Sequence, residues 1–170
     1  MLVSGRISAF LFTLVACVLA YALIRSSKKW TPTIRRIAAL DALDEAVGRA
    51  TEMGRPVHFT TGMGELTTPV VGPMIVAGLS VLSRVAELCA AKGTPLIYSL
   101  ASADVIPLAY DLMSSAYMAA GKPEQFKPDE SIRFTSTTQA GYTTSVHDTF
   151  AAERPASNIM VGPFYAEAIL

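Results

Sequence analysis

The hydrophobic pattern of this chain changes character once. A single unbroken apolar run occupies the N-terminus, and after residue 30 helical and strand periods alternate. The run, Ile7 to Ile24, holds 18 residues and no charge. At about 1.5 Å per residue a helix of that length spans roughly 27 Å, close to a hydrocarbon core of about 30 Å. Beyond it, Thr31-Pro32 reads as the N-cap and first position of a helix whose buried stripe is Ile34, Ile37, Leu40, Leu43, Val47 and Ala50. Glu45 and Arg49 form an i,i+4 pair on its exposed side, and Gly54 and Pro56 end it. Val57–Thr60 is the first predicted strand, followed by a loop from Thr61 to Pro69 rich in small and hydroxyl residues.

A second helix runs from about Pro73 to Lys92, apolar almost all round, and therefore packs on more than one side. Pro95–Leu100 is the second strand. A third helix follows, capped by Ser102 or Asp104, with Pro107 in its first turn, and ends at Gly121-Lys-Pro123. A polar loop leads to the third strand, Ile132–Thr135. Ser136-Thr-Thr-Gln139 has the form of a capping box and starts a fourth helix that reaches about Glu153. Ser157–Val161 is the fourth strand, and Gly162-Pro163 leads into a last helix still running at Leu170.

Strands alternating with helices imply parallel pairing through right-handed crossovers. The expected fold is therefore α/β: an N-terminal transmembrane helix (1–30, with its basic border) and a Rossmann-like three-layer domain (31–170) whose mostly parallel sheet has about four strands. No helix stop stands at Leu170, so either the terminal helix docks as it is or the chain is part of a longer polypeptide.

Composition supports this reading. The chain has 170 residues, 51% of them hydrophobic, and a mean hydropathy of +0.39, above what the anchor alone accounts for. Strands buried on both faces supply the rest. Fourteen basic and fourteen acidic residues leave no net charge, so nucleic acid is not an expected partner. Arg25, Lys28, Lys29 and Trp30 border the apolar run on its C-terminal side, against only Arg6 and the α-amino group before it. The positive-inside rule then puts the domain in the cytoplasm, with the chain crossing the cell membrane once and membrane lipid as its first partner.

Two rival readings exist for the run. A cleaved signal peptide wants a small-residue cleavage site before a polar mature end, but this core meets basic residues directly. Leu14-Val-Ala-Cys17 resembles a lipobox, yet seven more apolar residues follow Cys17 where lipoproteins turn polar. Cys17 and Cys89, in an apolar run and in a helix, suit packing rather than a disulfide or metal site.

Arg35 to Phe59 resembles a family of uncharacterised prokaryotic membrane proteins, described as a domain of unknown function. Ala116–Phe126, Ile132–Ser136 and Ala156–Ala168 are similar to the same family. The resemblance implies membrane attachment and an α/β fold. It also implies that the chain continues past Leu170 with more domain and further apolar segments, and it brings no catalytic residues.

In an open parallel sheet, ligands sit beyond the carboxyl ends of the strands. The residues expected there are Thr60, Thr61, Gly62 and Gly64, then Ser99 and Ser102, then Ser136 and Thr137, then Gly162. Their hydroxyls and the helix N-termini could hold a small anion or nucleotide phosphate; the alternative is that they cap helices and form turns. Gly62-Met-Gly64 is not a dinucleotide fingerprint, because Thr67 stands where the third glycine belongs. No phosphate loop and no metal spacing occurs, so no cofactor is expected. His58, on a strand, reads as a structural side chain bonded to a neighbour, and neither it nor His147 accompanies a nucleophile motif. Asp41, Asp44 and Glu45 read as a solvated acidic face. The functional expectation is a membrane-anchored structural or scaffolding subunit that assembles with itself or within a larger membrane complex. A ligand-sensing module is the second reading and an enzyme the third.

Overall fold

The computed structural model describes residues 7–27, 37–165 and 168. The chain divides into two units, Met1–Ile37 and Ala38–Leu170. In the first, helix α1 (Ile7–Ser27) leaves every side chain from Ile7 to Ser26 exposed. A helix this apolar with no polar face lacks the amphipathic stripe of a helix that packs on a soluble core. Its length and composition are those of a membrane span or a signal sequence. The expected border residues Lys28, Lys29 and Trp30, and the Thr31-Pro32 cap with Ile34, lie outside the described residues.

The second unit opens with α2 (Ala38–Asp41) and α3 (Leu43–Met53), separated by a turn at Ala42. The predicted stripe is thus only partly buried. Leu43, Val47 and Ala50 join the core, but Ile37 and Leu40 are exposed, with no described element over that stretch. The Glu45–Arg49 pair is present at 3.8 Å on the solvent side, and Asp44 faces Arg84 at the same distance. Gly54 takes the left-handed conformation (φ 62°) that ends α3.

Four strands follow in the order β1 (Val57–Thr60), β2 (Leu96–Leu100), β3 (Ile132–Phe134) and β4 (Ser157–Met160). They form one all-parallel sheet in the spatial order β3-β2-β1-β4, with Val57 opposite both Leu96 and Ser157 and Tyr98 opposite Ile132. Helix α4 (Gly72–Lys92) links β1 to β2 and α5 (Ile106–Ala119) links β2 to β3. The polar loop before β3 is partly helical, containing a 3-10 turn (Pro123–Gln125) and the short α6 (Pro128–Ser131). Helix α7 (Gln139–Glu153) carries the chain back across the sheet to β4.

Alternation along the strands separates two cores. Val57, Phe59, Leu96, Tyr98 and Leu100 point to the face packed by α3, α4 and α5, in the main cluster with Val47, Leu82, Val85 and Met113. The opposite residues, His58, Thr60, Ile97, Ser99 and Ala101, face α7, where Tyr142 and Val146 form a smaller cluster with Ala101. The direction of strand addition reverses between β3 and β4, and a crossover of constant hand then requires α7 on the other face. The expected three-layer α/β architecture is therefore the one observed.

Two expectations about ends need correction. Ser136 does not close a capping box. The N-cap of α7 is Thr138, and Ser136 Oγ accepts from the Thr138 N–H at 3.1 Å, which places Gln139 first in the helix rather than third. A Cβ on Gly141 would lie 2.6 Å from Ser136 Oγ, so a glycine at 141 is what lets this turn fold tightly against the helix. After β4, residues 162–165 are not helical; Ala168 lies in a 3-10 turn, and the remainder of the expected last helix is outside the described residues.

The C-terminal end of α4 is held from a distance. Gly93 (φ 73°) terminates it, and the Lys122 ammonium donates to the carbonyls of Ala90 at 3.0 Å and Ala91 at 2.9 Å. A cation on these C-terminal carbonyls adds a donor and complements the helix dipole. Lys122→Met keeps the aliphatic stem and removes both bonds. Urea unfolding is expected to show a loss of about 1 kcal/mol; an unchanged midpoint would mean water replaces the ammonium at no cost.

Candidate functional site

The hydroxyls at the carboxyl end of β1 are buried and bonded to tyrosines. Thr60 Oγ1 lies 2.6 Å from the Tyr142 hydroxyl on α7 and accepts the Gly62 N–H at 3.0 Å. Thr61 Oγ1 lies 2.7 Å from the Tyr98 hydroxyl on β2. Burial raises the Tyr98 phenol well above its ordinary range, so it stays neutral.

The crevice beside them lies between the ends of β1 and β4, where the strand order reverses. Backbone fills it. Val161 N–H donates to Thr60 O at 3.1 Å and Met63 N–H to Pro163 O at 3.2 Å. A Cβ on Gly162 would stand 2.1 Å from Thr61 O, and one on Gly62 would stand 2.2 Å from Pro163 O. Gly64 meets Val71, and Gly78 of α4 meets Val161 O. These glycines allow the two loops and α4 to close on one another.

The other expected residues are also engaged or apart. Ser102 Oγ donates to Asp104 Oδ1 at 2.5 Å, and Asp104 Oδ2 accepts from the Leu66 N–H at 2.9 Å, so this carboxylate ties the Thr61–Pro69 loop to the β2 end. Ser136 belongs to the α7 turn, and Thr137 beside it is exposed. The structure thus brings Thr60, Thr61, Gly62, Gly64 and Gly162 together but makes them an internal seam.

Ser99 lies one residue inside the end of β2, facing α7, and joins a polar row across the sheet. His58 Nε2 is 2.9 Å from Ser99 Oγ, and His58 Nδ1 is 2.8 Å from Asn158 Oδ1. The amide oxygen only accepts, so Nδ1 carries the proton and donates, and Nε2 accepts from the Ser99 hydroxyl. The next strand continues the row with Arg133, paired to Glu153 of α7. Hydroxyl, imidazole and amide have the connectivity of an activated nucleophile. Ser99 and His58 are both 0% exposed, however, and Phe150 stands edge-on to the imidazole at 4.9 Å. In this state no substrate reaches Oγ, and the row acts as a brace between β4, β1 and β2. Burial, reinforced by the Arg133 charge, lowers the His58 pKa despite the Asn158 bond, so the ring is neutral. His147 is exposed on α7, and Cys89 is buried with its thiol pushed up to about 12, an inert packing group.

Sequence reasoning missed Asn158, Tyr98 and Tyr142. Asn158 had a signal, an amide side chain within a predicted strand; the tyrosines had none, since aromatic residues suit any core position.

A cleft of about 630 Å³ opens at the amino ends of the strands, opposite the expected site. Pro95, Leu96 and Ile97 line it together with Lys127, Glu130 and Arg133. Four of its charged residues pair with one another, Lys127 with Glu130 at 3.2 Å and Arg133 with Glu153. No group of three or more potential metal ligands occurs among the described residues.

No curated protein and no solved structure matches this chain. One family model does, over residues 1–170: with its apolar N-terminal helix and all-parallel α/β unit, the chain belongs to the family described as Domain of unknown function (DUF6754).

Proposed function

We propose that this protein is a membrane-anchored structural subunit, held by α1 with its α/β unit on the cytoplasmic side, assembling with copies of itself or within a larger membrane complex. The observation that carries the proposal is the closed seam at the β1 and β4 ends. The position where an open parallel sheet normally seats a ligand is filled by the protein's own backbone. Meanwhile the outer strands β3 and β4 have one neighbour each among the described residues, and Phe134 on β3 is half exposed. Sheet edges and apolar side chains left open in this way are groups a partner covers. The uninterrupted exposure of α1 and Arg25 in its last turn support the anchor and its orientation.

The test is made on the full chain extracted from membranes in mild detergent. Light scattering is expected to give a mass above the monomer, or a partner is expected to co-purify at a fixed ratio. A strictly monomeric, partner-free protein sinks the proposal. The anchor has its own check. Alkaline carbonate should leave the protein in the membrane pellet with Ile7–Ile24 still present by mass spectrometry; a mature chain that begins after this segment would make it a signal sequence.

A further inference from the structure

The chain has no net charge, yet its charges are not evenly mixed along it. Six of its fourteen basic residues stand before residue 41, and none of its fourteen acidic residues does. Residues 41–170 keep eight basic side chains against fourteen acidic ones. The α/β unit is therefore acidic, and the balancing positive charge belongs to the segment that carries α1. Within that segment the charge is one-sided too. Arg6 alone precedes the apolar run, whereas Arg25, Lys28, Lys29, Arg35 and Arg36 follow it within twelve residues, with Trp30 among them.

Five cations so close in sequence repel one another unless anions gather around them. Their place in the chain decides which anions. Arg25 is in the last turn of α1, whose exposed apolar surface has the length of a membrane span. Lys28 and Lys29 come four and five residues after Ile24, and at no more than about 3.6 Å per residue they stay within reach of the headgroups. The carboxylates of the α/β unit are the rival counter-ions. They are spread over several elements, and some are neutralised where they stand: Asp44 faces Arg84, Glu45 Arg49, Glu130 Lys127 and Glu153 Arg133. An anionic leaflet instead presents one continuous negative surface at the point where the cations emerge.

We infer that residues 25–36 bind anionic phospholipid headgroups, so that the anchor selects its lipid neighbours as well as holding the membrane. The inference rests on reading α1 as a membrane anchor. Trp30 suits it, because an indole settles at the headgroup level beside Lys and Arg. The α/β unit, negative overall, adds nothing to the attraction, so the selectivity belongs to this segment alone.

Trp30 is the single tryptophan of the chain, so its fluorescence reports on this segment directly. The full chain is placed in phosphatidylcholine vesicles that carry a small fraction of quencher-labelled lipid. The labelled lipid is either phosphatidylglycerol or phosphatidylcholine, with the label near the headgroup. Labelled phosphatidylglycerol is expected to associate about fivefold more strongly, which corresponds to the gain of about 1 kcal/mol from one basic side chain near such a surface. A quadruple variant, Lys28→Gln with Lys29→Gln, Arg35→Gln and Arg36→Gln, should be quenched equally by both lipids. So should the native chain in about 1 M salt, where the screening length falls to about 3 Å. Arg49→Gln removes an exposed cation from the α/β unit and should keep the native preference. Equal quenching of the native chain by both lipids, or an undiminished preference in the quadruple variant, overturns the inference and leaves the anchor standing. A native chain that fails to float with the vesicles removes the anchor reading and this one together.

Discussion

Gly162→Ala is expected to destabilise the α/β unit by about 4 kcal/mol, from strain and overpacking of about 1–3 kcal/mol each. Gly162 has φ 152°, which L side chains rarely adopt, and its added Cβ would stand 2.1 Å from Thr61 O and 2.8 Å from Thr61 C. Both contacts are backbone of the buried β1 end, which cannot swing aside as a side chain tip would. Gly62→Ala should behave alike, since Gly62 has φ 74° and its Cβ would stand 2.2 Å from Pro163 O. Gly54→Ala supplies the comparison. Gly54 has φ 62° with nothing within 4 Å of a Cβ, so only the left-handed penalty of about 1 kcal/mol applies. Urea unfolding of the three variants separates conformational strain from close approach. If Gly162→Ala loses no more than Gly54→Ala, the seam opens easily, and a ligand seat between β1 and β4 becomes tenable again.

That seam shows where sequence reading works and where it stops. The strands and the helices α4 and α5 are legible because apolar runs and Gly/Pro punctuation are local properties, whereas α7 is placed through a capping box that the structure does not form. The clustering of Thr60, Thr61, Gly62, Gly64 and Gly162 is legible too, because topology alone brings those strand ends together. Their occupancy is not. The tyrosines that bind Thr60 and Thr61 lie 82 and 37 residues away, and nothing in a tyrosine announces which hydroxyl it will meet. Ile37 and Leu40 fail for a related reason: periodicity reports which face of a helix is apolar, not whether another element covers it. The Ser136 box fails because the contact of Ser136 with Gly141, set by the shape of one turn, outweighs a motif with the right spacing.

The polar row across the sheet carries the other large expected effect. His58→Ala should lower stability by about 4 kcal/mol, combining a cavity under α7 with the loss of its hydrogen bonds, above all the one to Ser99. Ser99 is fully buried and would have no replacement, whereas Asn158 on the outer strand can turn to water. The pH dependence gives an independent reading. Folded His58 binds its proton less readily than the unfolded chain does, whose histidine titrates near 6.5. Above 6.5 neither state is protonated there and this contribution is complete. As pH falls from 6.5 towards the lowered native value, the unfolded chain takes up the proton first, and stability declines by at most about 1.4 kcal/mol per pH unit. His58→Gln keeps a donor and an acceptor but cannot titrate. Its loss at neutral pH should be smaller than that of His58→Ala, and the acid decline assigned to His58 should disappear from its urea midpoints measured between pH 7 and 5. A variant that declines as steeply as the native chain would move that acid sensitivity away from His58. The row would then be a brace whose strength does not depend on keeping the imidazole neutral.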